Sequence, residues 1–160
     1  MSNKLEVSFN SPQCGWMSIG FDDGLSEFHT TTAHAPHEKA LAELLLILSA
    51  LLDPQSAPRD EYVLHWNRSP EEFDFYFART GENVLMEIYQ YPSRRQREPE
   101  NREKVFAHRG NLRDVAEAFH KTFTQLYKDR DTDEFEFNWR QPFPLAEFEI
   151  FESNLKTAQT

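Results

Sequence analysis

Phenylalanine occupies every second position from Phe73 to Phe77, and this alternation restricts the chain to folds that contain a half-buried β-strand. A turn-forming segment, Thr80-Gly81-Glu82-Asn83, follows the strand. Residues 84–91 are then apolar in both phases, which is typical of a central strand that is covered on both faces. A further β-prone run, residues 61–67, precedes the phenylalanine-rich strand. The three runs predict an antiparallel meander.

Two other β-prone runs lie earlier in the chain, residues 16–21 and 25–31, and Asp22-Asp23-Gly24 joins them. Short runs joined by Asp-Gly predict a β-hairpin. Pro36 is expected to begin a helix that Asp53-Pro54 ends. Its leucines nearly encircle it, so we expect it either to be buried on more than one side or to form an oligomer interface.

A second helix is predicted to open at Gly110-Asn111, with Asn111 as its cap and one apolar face that includes Phe119 and Phe123. Strands are grouped with strands, and helices are few. The prediction is therefore an α+β fold, in which an antiparallel sheet (N-terminal hairpin plus three-strand meander) carries two main helices packed on one face. A length of 160 residues fits a single domain, with 1–12 and 154–160 as frayed tails.

The charge of the chain restricts its partners. With 27 acidic and 17 basic residues, the net charge is −10, which disfavours nucleic acids and anionic membranes and favours a basic protein partner. One cysteine excludes an intramolecular disulfide, and the first residues lack the apolar stretch of a signal peptide, so a cytoplasmic location is expected. No nucleophile elbow, P-loop or Rossmann glycine pattern occurs, and we expect no cofactor.

The acidic residues are concentrated near the end of the chain. Residues 131–152 contain seven acidic residues against one basic residue, Arg140, which gives a net charge of −6. Because the acidic residues alternate with aromatic ones, we expect two short strands here, or a helix from Leu145. The aromatic residues Trp139 and Phe143 are expected to be exposed anchors. The predicted partner-binding residues are Asp133, Glu134, Glu136, Trp139, Glu147 and Glu149.

Three other features offer alternatives. His29, His34 and His37 fall within nine residues and would suit a zinc site of a small metal-assisted hydrolase, although their spacing matches no compact metal motif and solvated loop histidines explain them better. Residues 94–109 hold six basic residues against three acidic ones; we expect a mobile mixed-charge loop, with a short strand near Phe106 as an option. Cys14 has no flanking basic residue, so we expect a buried thiol rather than a nucleophile.

The middle of the chain resembles small bacterial proteins that are grouped with contact-dependent or polymorphic toxin immunity proteins. The resemblance rests on an early tryptophan, a leucine-rich helix, a Trp-x-x-x-Pro strand end, an aromatic strand and an apolar strand, covering about half the chain. Here these read Trp16, residues 41–52, Trp66-Asn67-Arg68-Ser69-Pro70-Glu71, Phe73 to Phe77, and residues 84–91. Ser69 replaces the usual acidic residue before the proline.

The resemblance implies a non-enzymatic protein-binding module, an immunity protein that neutralises a basic toxin domain through an acidic C-terminal surface. The sequence leaves two alternatives open. One is the metal-assisted hydrolase at His29, His34 and His37. The other is a self-assembling structural protein, which the apolar first helix indicates and which would form a homodimer.

Overall fold

The computed structural model describes residues 4–53, 61–68 and 70–158. In chain order the strands and helices are β1 Glu6–Phe9, β2 Trp16–Asp22, β3 Glu27–Ala33, α1 Ala40–Leu52, β4 Glu61–Asn67, β5 Glu72–Thr80, β6 Asn83–Tyr91, a short 3₁₀ helix Pro99–Asn101, β7 Glu103–Asn111, α2 Leu112–Asp129, α3 Phe135–Trp139 and α4 Leu145–Ala158. This is an α+β fold with antiparallel sheets, as predicted.

The strands form two antiparallel sheets, one with the order β1-β2-β3 and one with the order β4-β5-β6-β7. In the larger sheet, Phe75 lies opposite Leu64 of β4 and Ile88 of β6, and all three side chains are buried. Because side chains alternate along a strand, the neighbouring Asp74 belongs to the other face. The predicted meander is therefore confirmed, with β7 added at its far edge.

The smaller sheet and the helices cover the inner face of the larger sheet. Phe21 of β2 lies 5.8 Å, between ring centroids, from both Phe75 and Phe106. Phe119 of α2 lies 6.3 Å from Phe77. Arg79 lies on the same face of β5 as Phe77, and its side chain donates to the Leu51 carbonyl of α1 at 2.5 Å. Both predicted helices thus pack on the face that carries the phenylalanines.

Contacts between distant parts of the chain hold the small sheet in place. The Phe9 N–H of β1 donates to the Thr122 hydroxyl of α2 at 2.7 Å, and the Ser11 hydroxyl donates to the Asp133 carboxylate at 2.6 Å. Phe9 itself is buried, with its ring 5.4 Å from that of Phe123. Residues 6–12 are therefore part of the folded structure, and their assignment to a frayed tail is wrong.

The C-terminal segments are helical rather than extended. Phe135 and Trp139 are buried and four residues apart, so one turn of helix places both on the core side as well as a strand would. In α4, Phe148, Phe151 and Leu155 follow helical spacing and are buried. The helix from Leu145 is the correct alternative, and the strand prediction for 135–139 is wrong. Residues 154–158 complete α4 and are not a tail.

The first helix begins later than predicted, at Ala40 rather than Pro36. Side chains from the large sheet hold the preceding segment in an irregular path. Asn67 donates to the Ala35 carbonyl at 2.6 Å, and His37 Nε2 lies 3.3 Å from Glu72. The second helix begins as predicted, because the Asn111 side chain accepts from the Arg113 and Asp114 N–H groups.

The apolar surface of α1 is accounted for within one chain. Helix α1 packs against α4 and β4, and Asn154 of α4 donates to the Ser49 carbonyl at 3.0 Å. Leu46 remains about half exposed. The prediction that this helix is buried on more than one side is confirmed, while self-assembly stays a prediction. None of the helices within the described ranges has the length and apolarity that a membrane span requires.

Candidate functional site

The predicted partner-binding residues lie in the two C-terminal helices and in the turn before them. Glu134 caps α3 with a left-handed backbone (φ 50°), and Glu136 follows in its first turn. Glu134, Glu136 and Glu149 are exposed, and Glu147 is half-buried. Asp133 is also half-buried, because it accepts the Ser11 hydroxyl. Within the described ranges, the side chains of Glu134, Glu136, Glu147 and Glu149 accept no hydrogen bond.

Trp139 is a core residue and cannot be an exposed anchor, so this part of the prediction is wrong. Its side chain is 1% exposed, and its ring lies 6.5 Å from Trp66 and 6.4 Å from His34. Phe143, the other expected anchor, packs against Phe135 and Phe148 at 5.6 Å each. The helical conformation of α3 turns the intervening aromatic residue outward instead.

Phe137 is that residue, and 76% of it is exposed. A strand would have given Phe137 the same face as Phe135 and Trp139, whereas one turn of helix points it away from both. On α4, Leu145 and Ile150 are also exposed, at 39% and 47%. We call the surface formed by these apolar residues and the free carboxylates the acidic end; its members are Glu134, Glu136, Phe137, Leu145, Glu147, Glu149 and Ile150.

Helical geometry changes how the acidic end is arranged. Residues two apart in a helix point about 200° from each other. Glu147 therefore shares the side of α4 that carries Asn154, which bonds to α1, whereas Glu149 borders α2. In a strand both would have pointed the same way. The carboxylates of α4 accordingly lie on two sides of the helix and not on the single acidic face of the sequence prediction.

The carboxylates of the acidic end have no cationic partner within the described ranges. None of the ion pairs in residues 4–53, 61–68 and 70–158 involves Glu134, Glu136, Glu147 or Glu149. Arg140, the one basic residue nearby in sequence, follows α3 and has a left-handed backbone (φ 72°). Within the described ranges these four carboxylates therefore form no ion pair, although Lys128 and Lys156 border the same cavity as Glu149.

The outer face of the large sheet carries carboxylates that are neutralised. Arg97 donates to Glu72 at 2.9 Å and to Asp74, and its guanidinium carbon lies 4.3 Å from the centre of the Tyr91 ring. His65 Nδ1 lies 2.5 Å from the same Asp74 carboxylate. Residues 94–102 were predicted to be a mobile loop, but Arg97 fixes them to β5. The strand option near Phe106 is correct and corresponds to β7.

A second neutralised group lies further along the same face. Tyr89 donates to Glu87 at 3.0 Å, and Lys104 donates to it at 2.9 Å. Burial acts to raise the pKa of Glu87, but the hydrogen bonds from Lys104 and Tyr89 outweigh it, so the pKa lies below its ordinary value. Burial and the Glu87 carboxylate raise the pKa of Tyr89. Glu72, Asp74 and Glu87 on this face are therefore each paired with a cationic side chain of the same chain.

One carboxylate–imidazole pair is buried between the two sheets. His108 Nδ1 of β7 lies 2.8 Å from Asp23 Oδ2, and the other Asp23 oxygen accepts the Leu25 and Ser26 N–H groups at 2.9 and 2.8 Å. Burial acts to raise the pKa of Asp23, but the hydrogen bonds from His108, Ser26 and Leu25 outweigh it and lower the pKa. This pair fixes the tip of the β2–β3 hairpin to β7.

The three histidines of the proposed metal site have separate partners. His29 pairs with Glu27 at 2.7 Å, His37 lies against Glu72, and the His34 ring contacts Trp139. Within the part of the chain that the structure describes, no group of three histidine, cysteine or carboxylate side chains could hold a metal ion. The hydrolase alternative therefore lacks the ligand cluster on which it depends.

Cys14 is exposed, so the prediction of a buried thiol is wrong. It occupies a tight turn in which Gln13 and Trp16 exchange backbone hydrogen bonds of 2.8 and 2.9 Å. Both central residues, Cys14 (φ 53°) and Gly15 (φ 84°), have the positive φ that two-residue hairpin turns of type I′ require. The side chain of Cys14 therefore stands at the rim of the fold.

No family model, curated protein or solved structure matches the chain. The likeness of its sequence pattern to toxin immunity proteins therefore stays a prediction.

Proposed function

We propose that this chain is a non-enzymatic protein-binding module that docks onto a basic protein surface through the acidic end. The finer form of the proposal is an immunity protein, which would occupy the basic surface of a toxin domain. Such surfaces on nucleases recognise phosphates, and carboxylates can take the place of phosphates there.

The observation that supports the proposal is the contrast between two sets of carboxylates. On the outer face of the sheet, Glu72, Asp74 and Glu87 each contact a cationic side chain. At the acidic end, Glu134, Glu136, Glu147 and Glu149 contact none within the described ranges. Negative charge left unpaired beside an exposed phenylalanine has the composition of a docking surface, with an aromatic contact inside a charged rim.

Electrostatic steering gives this surface a kinetic role. The chain has a net charge of −10, and the unpaired carboxylates place part of that charge on the two C-terminal helices and the turn before them. A basic partner is attracted and oriented before contact, which raises the association rate. Phe137, which is largely exposed, would then be buried in the complex and would slow its dissociation.

Crosslinking at Phe137 would identify the partner. A photoreactive benzoyl-phenylalanine at position 137, expressed in cells of the source organism, is expected to capture a basic protein. The matched control places the same group at Leu25, which is 83% exposed on the β2–β3 turn. Mass spectrometry identifies the product. Capture of the same proteins from both positions, or of none from position 137, would contradict the proposal.

Charge neutralisation then tests the electrostatic part with the purified partner. Replacing Glu134, Glu136, Glu147 and Glu149 by glutamine is expected to slow association at least tenfold at low salt and to flatten its salt dependence, because steering scales with the charges that face the partner. Stopped-flow measurements over a range of salt concentrations give both quantities. Asp133 is left unchanged because it accepts the Ser11 hydroxyl.

The control variant carries the same change in total charge elsewhere. Glu6, Glu82, Glu100 and Glu103 are exposed and become glutamine in this variant. Association should slow by no more than about twofold, since these residues belong to β1, to the β5–β6 turn and to the segment around the start of β7. Equal slowing by both variants would show that net charge alone is responsible, and the docking surface would then be wrongly placed.

A further inference from the structure

A cavity of about 470 Å³ lies beside the Cys14 turn. The backbone of β3 and the segment after it form one wall. The side chains that bring chemistry to it are Cys14, His34, Asn67, Arg94 and Arg140. Its volume falls in the range of small-molecule sites.

The charge of this cavity is opposite to that of the whole protein. Its lining includes two arginines and no carboxylate, in a chain with a net charge of −10. The Arg140 guanidinium forms no hydrogen bond or ion pair with any residue of the described ranges. Arg94 has one, a 3.5 Å contact between its Nε and Glu72. Most of the donor groups of both guanidinium side chains are therefore available.

We infer that this cavity binds a small oxyanion, a phosphate or a carboxylate group, between Arg94 and Arg140 and next to the Cys14 thiol. Guanidinium groups present paired N–H donors that match the oxygens of both anions. An anion here would neutralise two arginines of one cavity, which share no carboxylate partner within the described ranges. The inference does not depend on the proposed docking function, since neither arginine belongs to the acidic end.

The wall that carries the thiol is fixed by backbone contacts. The Gly15 N–H donates to the Asn138 carbonyl at 2.6 Å, and the His34 N–H donates to the Gly15 carbonyl at 3.1 Å. A Cβ at position 15 would stand 2.9 Å from the His34 ring, so the close approach of turn and ring requires glycine. The thiol is thus held in a constant position relative to α3 and its C-terminal Arg140.

The His34 ring completes the wall. One ring edge lies against Gly15, and the buried Nδ1 has no hydrogen-bond partner in the described ranges. An unpaired buried nitrogen of this kind is rare in folded proteins. The atom itself is covered by protein, so the ring contributes to the cavity as part of its wall rather than as a ligand to the anion.

Alkylation of Cys14 provides the test, because it is the single cysteine of the chain. Iodoacetate and iodoacetamide transfer similar groups to the thiolate with loss of iodide, but only iodoacetate is an anion. The ratio of their rate constants therefore reports the local attraction for an anion and is independent of the thiolate fraction. Arg140→Gln and Arg94→Gln are each expected to lower this ratio about fivefold, as for a unit charge roughly 6 Å away in a hydrated site.

The matched control is Lys128→Gln, which removes one exposed positive charge from the last turn of α2, outside the cavity lining, and should leave the ratio unchanged. Near-UV circular dichroism confirms that each variant is folded. If neither arginine variant changes the ratio, or if Lys128→Gln lowers it equally, the inference is overturned.

Competition distinguishes the two anions. Inorganic phosphate and acetate are titrated separately at constant ionic strength, and the rate of iodoacetamide modification of the wild-type protein is followed. Protection by phosphate alone assigns a phosphate-bearing ligand, and protection by acetate alone assigns a carboxylate-bearing one. Protection should be lost in the Arg94→Gln/Arg140→Gln variant. If neither anion protects Cys14, or if protection persists in that variant, the cavity is not an oxyanion site.

Discussion

Replacing Asp23 by alanine is expected to lower the free energy of unfolding by about 4 kcal/mol, because it leaves a buried imidazole without its partner. The carboxylate accepts from His108 and from the Leu25 and Ser26 N–H groups, and both Asp23 and His108 are buried. The substitution removes all three hydrogen bonds and separates the hairpin tip from β7. Urea denaturation at pH 7 measures the change.

Asp22→Ala is the matched control for this prediction. Asp22 ends β2 directly before Asp23, and within the described ranges its carboxylate accepts only the exposed Gly24 N–H, at 2.8 Å. The control is expected to cost less than about 1 kcal/mol, since water replaces an exposed hydrogen bond. Equal destabilisation by both substitutions would mean that the turn, rather than the pair with His108, stabilises the hairpin.

The contribution of Asp23 should also depend on pH. Its pKa is lowered in the folded state, so its stabilisation is complete above the unfolded value of about 3.9 and is lost as the pH falls through the folded value. The difference in unfolding free energy between the wild type and Asp23→Ala is therefore expected to shrink below about pH 4. A difference that stayed constant down to pH 2 would contradict the assignment.

Arg97→Met is expected to destabilise the protein by about 3 kcal/mol, because it leaves two neighbouring carboxylates on β5 without their shared cation. Glu72 and Asp74 are buried residues, and the Arg97 side chain lies over both and over the Tyr91 ring. The value is at the lower end of the range for a broken buried pair, because the Arg97 side chain is 27% exposed and water can replace part of it. Chemical denaturation at neutral pH gives the difference.

Arg95→Met removes the same charge from the same segment and serves as the control. Arg95 is exposed, so the expected change is within about 0.5 kcal/mol. Adding Glu72→Gln and Asp74→Asn to Arg97→Met should recover part of the lost stability, since the unpaired negative charges are then removed. If the triple variant were no more stable than Arg97→Met, lost packing on Tyr91 rather than lost charge pairing would be the cause.

Strands β4 to β6 and helix α2 were predicted correctly from the sequence. Strands β4, β5 and β6 lie where the alternation and the turn residues place them, and Asn111 caps α2 as its chemistry predicts. These are segments in which local propensity, hydrophobic spacing and turn residues all favour the same conformation.

The segment at 135–139 was predicted incorrectly because its spacing satisfies two periods. Phe135 and Trp139 fall on one side in a strand, where they are separated by two alternations, and in a helix, where they are one turn apart. Only Phe137 distinguishes the conformations, and its exposure could be decided only by packing against the rest of the fold. This one ambiguity changed both which aromatic residue is exposed and how the carboxylates of the acidic end are arranged.

The ion pairs could not be predicted because they join residues that are distant in the sequence. Arg97 reaches Glu72 across 25 positions, and His108 reaches Asp23 across 85. Sequence periodicity places Glu72 and Asp74 on the outer face of β5 but does not indicate which cation covers them. The cavity beside Cys14 escaped prediction for the same reason, since its two arginines belong to different segments.

The contacts of β1 and of the turn that follows it with the last third of the chain have a consequence for biosynthesis. Phe9 bonds to Thr122, Ser11 to Asp133, and Gly15 to Asn138, so each early residue meets a partner more than a hundred positions later. During translation the early segment leaves the ribosome well before those partners have been synthesised, and contacts between residues so far apart in the sequence form slowly. We expect the meander to acquire protection from hydrogen exchange first during refolding, and the smaller sheet to acquire it only after α2 and α3 have formed.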